Sequence, residues 1–303
     1  MNTLPLIAGV ELGGTKAIAL LARGRDIIAQ RRVPTTSPAE TLGTLRAQLA
    51  AWNAQDPIEA LGVASFGPIR LDRAAPDYGR MLITPKEGWS GYPVFAGLAA
   101  GLDCPQSLDT DVNAAGLAEW RWGGGQDLVS LCYLTIGTGV GGALLTHGKP
   151  VHGALHPEIG HLKLRRAHGD CFAGICAHHG DCIEGLVSGP ALRARFGGPP
   201  DAVADDDPQW RFVVHDLVEL VCAIQLTASP QKILIGGGVG MSRPFLFDLI
   251  RQGLVEKLGG YLSYLTGNVA RSWVERPHLG DNAGPLGAIA LGLSSLEKSR
   301  KRQ

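Results

Sequence analysis

The chain carries one arrangement twice: an apolar strand, a glycine-rich turn, then a second apolar strand. "LIAGVEL" (6–12), "GGTK" and "AIALLAR" (17–23) make the first copy, and "LVSLCYLTIGTGVGGALLTHGKPV" (128–151) contains the second. A glycine turn between two buried strands makes a hairpin and lets backbone come close to something else. The elements after each copy alternate between strand and helix, which places the chain in the α/β class. After the first copy come a strand at 26–35, a helix from Pro38 to about Trp52 capped by Ser37, and a buried strand at 58–65. "SLDTDVNAAGLAEW" (107–120) reads as strand, turn and helix. After the second copy come helices near 188–195 and 209–227, a strand and glycine turn at 232–240, and helices at 244–258 and 283–299. Duplicated lobes would leave such a pattern, although alternating β and α elements are common.

With 303 residues the chain is long enough for two domains, each with its own core. It has 28 basic and 28 acidic residues, so no net charge marks it for nucleic acid or an anionic membrane. The opening "MNTLPLIAGVELGGTK" has no basic region and no small-residue cleavage site, and no run of eighteen apolar residues occurs. The expectation is a cytoplasmic protein with no membrane partner. The basic end, "EKSRKRQ", reads as a solvated helix terminus. Six cysteines are too few for a disulfide scaffold. Three of them, with five of the nine histidines, fall in "HPEIGHLKLRRAHGDCFAGICAHHGDCIEG" (156–185). That clustering favours a reduced compartment and one metal site.

The glycine turns admit two readings. "ELGGTK" places two glycines, a threonine and a lysine between strands, which suits a simple hairpin or a phosphate. It is not a P-loop, because the G-x-x-x-x-G-K-[ST] spacing is absent. "TIGTGVGG" repeats the arrangement, and two such turns suggest a clamp on a polyphosphate. "IGGGVG" (235–240), through Gly236, Gly237 and Gly238, suits an adenosine or ribose lying close to backbone. In "DTDVN", Asp111 is a candidate helix cap, a general base, or both.

"VELGGTK", "DTDVNAAGLAEW", "TIGTGVGGALL", "HPEIGHL", "CAHHGDCIEGLVSGPAL", "ILIGGGVG" and "DNAGPLGAIALG" occur in an order that resembles the ROK family of sugar kinases. "FGPI", "TPKEGW" and "HPEIGH" resemble its bacterial fructokinase-type members. The resemblance implies a two-lobed actin-like ATPase (ribonuclease H-like) fold with an interlobe active-site cleft. It implies a smaller lobe of residues 1–115 plus the returning helix at 285–303, and a larger lobe of 116–284 with the zinc loop and nucleotide site. It also implies a homodimer and ATP-dependent phosphorylation of a hexose primary hydroxyl, with fructose first; the alternatives are a glucose, mannose or N-acetylhexosamine kinase of the same family, or a non-catalytic sugar-responsive regulator. Some relatives are repressors with an N-terminal helix-turn-helix. Here the phosphate-binding strand starts by residue 6, which argues against DNA binding.

Carried over by position, the resemblance makes Asp111 the catalytic base. Gly67, Asn113, Glu158, His161 and Glu184 become sugar-binding residues, with Thr110 where many relatives have asparagine. Gly13, Gly14, Thr15 and Lys16 become the first phosphate segment, and Gly137, Thr138 and Gly139 the second. Glu11 is expected to act on Mg²⁺ through water. In the metal run, Cys176, His179 and Cys182 are spaced C-x₂-H-x₂-C, and His161 upstream completes a closed, structural zinc set. Cys171, His168 and His178 lie nearby as alternatives. The metal would order a loop with little apolar content between Glu158 and Glu184, and His161 would serve both metal and sugar.

Overall fold

The computed structural model describes residues 4–302. Residues 1–3 and 303, which the expected smaller lobe includes, lie outside that range. In chain order the elements are β1 (Leu6–Leu12), β2 (Lys16–Arg23), β3 (Asp26–Pro34), α1 (Pro38–Gln55), β4 (Ala60–Ser65), α2 (Val94–Ala99), β5 (Gln106–Thr110) and α3 (Asp111–Trp122). Then follow β6 (Ser130–Ile136), β7 (Val140–Thr146), β8 (Lys149–Pro150), α4 (Ile183–Val187), α5 (Gly189–Phe196), α6 (Trp210–Ala228), β9 (Ile233–Gly236) and α7 (Gly237–Ser242). The last are α8 (Phe245–Leu258), α9 (Gly267–Trp273), β10 (Val274–Glu275) and α10 (Ala283–Arg300). No helix among the described residues is long and apolar enough to cross a membrane.

The chain divides into two units. One takes the residues up to Gly123, His152–His156 and the residues from Asp281; the other takes Gly124–Val151 and Pro157–Gly280. Each unit has its own five-stranded sheet, in the orders β3-β2-β1-β4-β5 and β10-β9-β6-β7-β8. Read from the opposite edge, the second order repeats the first. In each unit the first two strands form an antiparallel hairpin, and the first and fourth pair in parallel. The two glycine-turn hairpins therefore hold equivalent positions.

Side chains in the first sheet divide by strand period. Leu6, Ala8, Val10 and Leu12 of β1 join Leu42, Leu45, Leu49 and Trp52 of α1 in one core. The opposite face, with Ile7 and Glu11, looks toward α10. Both faces are covered, so β1 is apolar almost throughout instead of alternating. Helix α10 comes close enough that a Cβ at Gly62 of β4 would lie 1.9 Å from the Ala288 carbonyl oxygen; only glycine fits there. Trp89, from "TPKEGW", is fully buried in the same core as α1, and its Nε1 donates to the Thr36 carbonyl at 2.9 Å.

The boundary expected at residue 115 moves. Helix α3 runs on to Trp122 and lies along α10, burying Ala114, Ala115, Leu117 and Ala118, with Arg121 paired to Glu297. A helix packed over its length belongs with its partner, so the first unit extends through Gly123. It also takes in His152–His156 and begins its final segment at Asp281, not 285. The second unit's core is built on α6, whose Val213, Leu217, Leu220, Val221 and Ile224 meet Leu134 and Ile136 of β6 and Ile250 and Leu254 of α8.

Candidate active site

In the first unit, β5 ends where α3 begins. Thr110 is extended (φ −68°, ψ 156°), and its hydroxyl accepts the Asn113 N–H at 3.1 Å. Thr110 is thus the helix cap, which corrects the reading of Asp111 as the cap. Asp111 is the first helical residue, and its Oδ1 accepts the Val112 N–H at 2.8 Å. Burial pushes its carboxyl above the ordinary carboxylate range, against the pull of nearby backbone N–H groups. A carboxylate that is not needed as the cap and has raised proton affinity is suited to accept a proton.

Asn113 is almost fully buried, and its Nδ2 donates to Asp109 Oδ1 at 2.7 Å. His152 also reaches Asp109, with Nε2 at 3.0 Å from Oδ2. Neither Asp109 nor His152 was flagged by the sequence, because Asp109 reads as a strand residue and His152 comes from 43 positions away. Gly67, after β4, lies against the His156 imidazole, and Ile69 N–H faces His156 Nε2 at 3.4 Å.

The turn between β1 and β2 closes through Gly13 N–H to Lys16 O at 3.0 Å, and the Thr35 hydroxyl donates to Gly13 O at 2.7 Å. Gly14, Thr15 and Lys16 are exposed at its tip. Glu11, just before the turn, is half-buried, and its Oε2 has no hydrogen-bond partner among the described residues. An orphaned carboxylate oxygen beside a phosphate-type turn fits a hydrated dication. Burial raises the Glu11 carboxyl from 4.5 to about 7, opposed by Lys16 and assisted by Asp111.

The sign of that shift gives a stability prediction. Below pH 4.5, Glu11 is protonated in folded and unfolded chain alike and contributes nothing. Between pH 4.5 and about 7 the unfolded chain releases the proton first, so folding is progressively penalised. Above 7 the penalty is complete, at most about 3 kcal/mol. Glu11→Gln should therefore melt above the wild type at pH 8 and level with it near pH 4 in thermal unfolding. Equal melting at both pH values would show that the carboxyl is not held in a desolvated place.

In the second unit, the turn after β6 is fixed by Gly137 N–H to Gly139 O at 2.9 Å and by Gly189 N–H to Gly137 O at 2.7 Å. A cavity of about 710 Å³ opens beside it, lined by Gly137, Thr138, Pro190, Trp210, Gly238 and Arg243 among others. That volume falls within the usual range for small-molecule sites. Gly237 (φ +81°) lets the chain turn from β9 into α7; a Cβ there would lie 2.5 Å from the Ile136 main chain. Gly236 ends β9, against the Tyr133 hydroxyl, and is not part of the cavity wall. Gly139 lies against the Glu184 carboxylate instead.

Glu184 sits in the first turn of α4, and its Oε2 accepts the Val140 N–H at 3.0 Å. Glu158 is exposed at the start of a short 3₁₀ turn, Ile159–His161, and its carbonyl accepts the His161 N–H at 3.0 Å. Gly160 of that turn lies against the Val140 main chain. Glu158, His161 and Glu184 are thus brought to one end of β7.

His161, Cys176, His179 and Cys182 place their ligand atoms within 4.8 Å of one another. Cys182 Sγ and Cys176 Sγ lie 3.6 and 3.9 Å from His161 Nδ1, and Cys176 Sγ lies 3.6 Å from His179 Nδ1. Tetrahedral zinc with ordinary bond lengths separates sulfur from nitrogen by about 3.6 Å. The donor set and spacing both fit. Cys171 is exposed and outside the group, as are His168 and His178. Burial pushes the Cys182 thiol up to about 11, so the bare loop holds a neutral thiol. The loop has a second anchor. Arg195 of α5 reaches both Asp170 oxygens at 3.0 Å and Asp216 at 3.3 Å, all of them nearly fully buried.

Two sheets of one strand order, each with a glycine turn in its first hairpin, define the actin-like ATPase fold of the ribonuclease H-like class. The chain belongs to the ROK family, whose model matches residues 7–294. It is 38% identical over 305 residues to a fructokinase of Zymomonas mobilis, covering 98% of this chain and 99% of that one. A fructokinase of Pediococcus pentosaceus is 32% identical over 295 residues, covering 97% and 100%. A solved ROK hexokinase from Thermus thermophilus matches with a TM-score of 0.74 and 26% identity over 97% of this chain and 99% of that one.

Proposed function

We propose that the chain is an ATP-dependent fructokinase that converts D-fructose to fructose 6-phosphate. The observation that carries the reading is Asp111: a carboxylate of raised proton affinity, at a strand-to-helix junction where Thr110 does the capping. Relatives called fructokinase that align over nearly the whole chain support the choice of sugar. In this reading Asp111 takes the proton of the sugar's primary hydroxyl as that oxygen attacks the γ-phosphorus. Asn113, Glu158, His161 and Glu184 hold the sugar, and Gly67 lies beside it. The Gly13 and Gly137 N–H groups close their turns, which leaves the exposed Gly14, Thr15 and Lys16 on one turn and Thr138 and Gly139 on the other to meet the phosphates. The 710 Å³ cavity takes the nucleoside, with Gly238 in its wall and Gly236 and Gly237 turning the chain from β9 into α7 behind it. Glu11 would hold hydrated Mg²⁺, which when bound neutralises phosphate charge. His161, Cys176, His179 and Cys182 would hold a structural Zn²⁺ that orders the loop between Glu158 and Glu184. Six cysteines free of disulfides and a metal loop suit a reducing cytoplasm.

A coupled ADP-release assay over a panel of sugars tests this. Fructose should give the highest kcat/KM, with fructose 6-phosphate as product. Preference for glucose, mannose or an N-acetylhexosamine would move the substrate and leave the kinase standing. ADP release indifferent to every sugar would remove the kinase as well.

A further inference from the structure

His152 has no part in the reaction as described, yet it is tied to Asp109, two positions before the proposed base. It opens His152–His156, a stretch that belongs to the first unit although the chain on either side belongs to the second. Its Nε2 lies 3.1 Å from Asp109 Oδ1 and 3.0 Å from Oδ2. Asp109 Oδ1 also takes the Thr110 N–H at 2.8 Å and Asn113 Nδ2 at 2.7 Å. The Asp109 side chain is 5% exposed, whereas that of His152 is 40% exposed. Burial of apolar surface therefore does not explain why an imidazole stands here.

The chemistry of the acceptor fixes the rest. An ionised carboxylate only accepts, so Asn113 Nδ2 and His152 Nε2 both act as donors to it. The 3.4 Å approach of these two nitrogens is two donors sharing one acceptor, not a bond between them. With Nδ2 committed to Asp109, the Asn113 amide leaves its oxygen to accept from another group. Loss of the imidazole takes the Nε2–H donor from the buried Asp109 carboxylate, and the acceptor that orients the Asn113 amide is then held less firmly. The hydrogen bond to Asp109 holds the His152 imidazole above its ordinary 6.5, against burial and Lys298.

We infer that His152 is a positioning residue: by holding Asp109 as a shared acceptor, it fixes the Asn113 amide with its oxygen presented to the sugar. The role of the sugar rests on the fructokinase reading; the hydrogen-bond arrangement does not. The test uses the full chain with His152→Ala and His152→Gln, since a glutamine amide N–H reaches the place of Nε2. His152→Ala should raise the fructose KM roughly tenfold and leave the ATP KM within about twofold. His152→Gln should recover most of that loss. A second measurement needs no turnover. In ¹⁵N-histidine NMR of the wild type, the signal absent from His152→Ala should be the Nε2–H tautomer when neutral and titrate above 6.5. An unchanged fructose KM in His152→Ala, equal losses in both variants, or an Nδ1–H tautomer would overturn the inference. Wild-type protein without sugar-dependent ADP release would instead overturn the fructokinase reading, and the tautomer would still decide where the imidazole donates.

Discussion

Asp111→Asn is expected to lower turnover by about three orders of magnitude while the fructose KM stays within about threefold. The helix should not notice the change. Thr110 provides the cap, and the asparagine oxygen can accept the Val112 N–H as Asp111 Oδ1 does. What disappears is the proposed proton acceptor. Because burial raises the Asp111 carboxyl above its ordinary 3.8, the acid limb of the wild-type rate profile should lie above that value. Turnover falls as pH drops through the raised pKa, since only the ionised form accepts a proton. Steady-state kinetics and a melting curve on the purified variant separate chemistry from folding. A variant that keeps a tenth or more of wild-type turnover would mean that another group takes the proton.

Loss of the proposed zinc should be the second large effect. Cys182→Ala removes the most buried of the four ligands and breaks a set whose distances match one tetrahedral ion. Structural zinc contributes folding energy directly, so a loss of about 3 kcal/mol or more is expected, lowering the melting temperature by roughly 10 °C. Zinc content should fall from one ion per chain to none by elemental analysis. Fructose affinity should drop further than ATP affinity, because Glu184 follows Cys182 by two residues and Glu158 precedes His161 by three. The Asp170–Arg195–Asp216 anchor should keep the rest of the second unit folded. Wild-type protein purified without zinc, or a variant that melts with it, would remove the metal from the account.

Much of this architecture was legible because its signals are local. Apolar runs with glycine turns mark β1, β2, β6 and β7, and Ser37 before a proline marks the start of α1. Ligands three residues apart show that Cys176, His179 and Cys182 can meet, and a histidine fifteen positions before Cys176 completes the group. Legibility ends where geometry depends on distant residues. Thr110 and Asp111 are both good cap residues; the choice falls on Thr110 because β5 holds its backbone extended. The two residues of β10 and the six of α2 are too short to show a period. His152 meets Asp109 only because the chain returns to the first unit for five residues, and no spacing rule announces that return.

Helix α10 has a consequence for biosynthesis. It covers the Ile7 and Glu11 face of β1 and lies along α3, yet it is translated after the whole of the second unit. At ordinary translation rates, the interval between the exit of α3 and that of α10 is roughly ten to thirty seconds. For that time the nascent first sheet has one apolar side bare on the ribosome, the kind of surface that chaperones shelter.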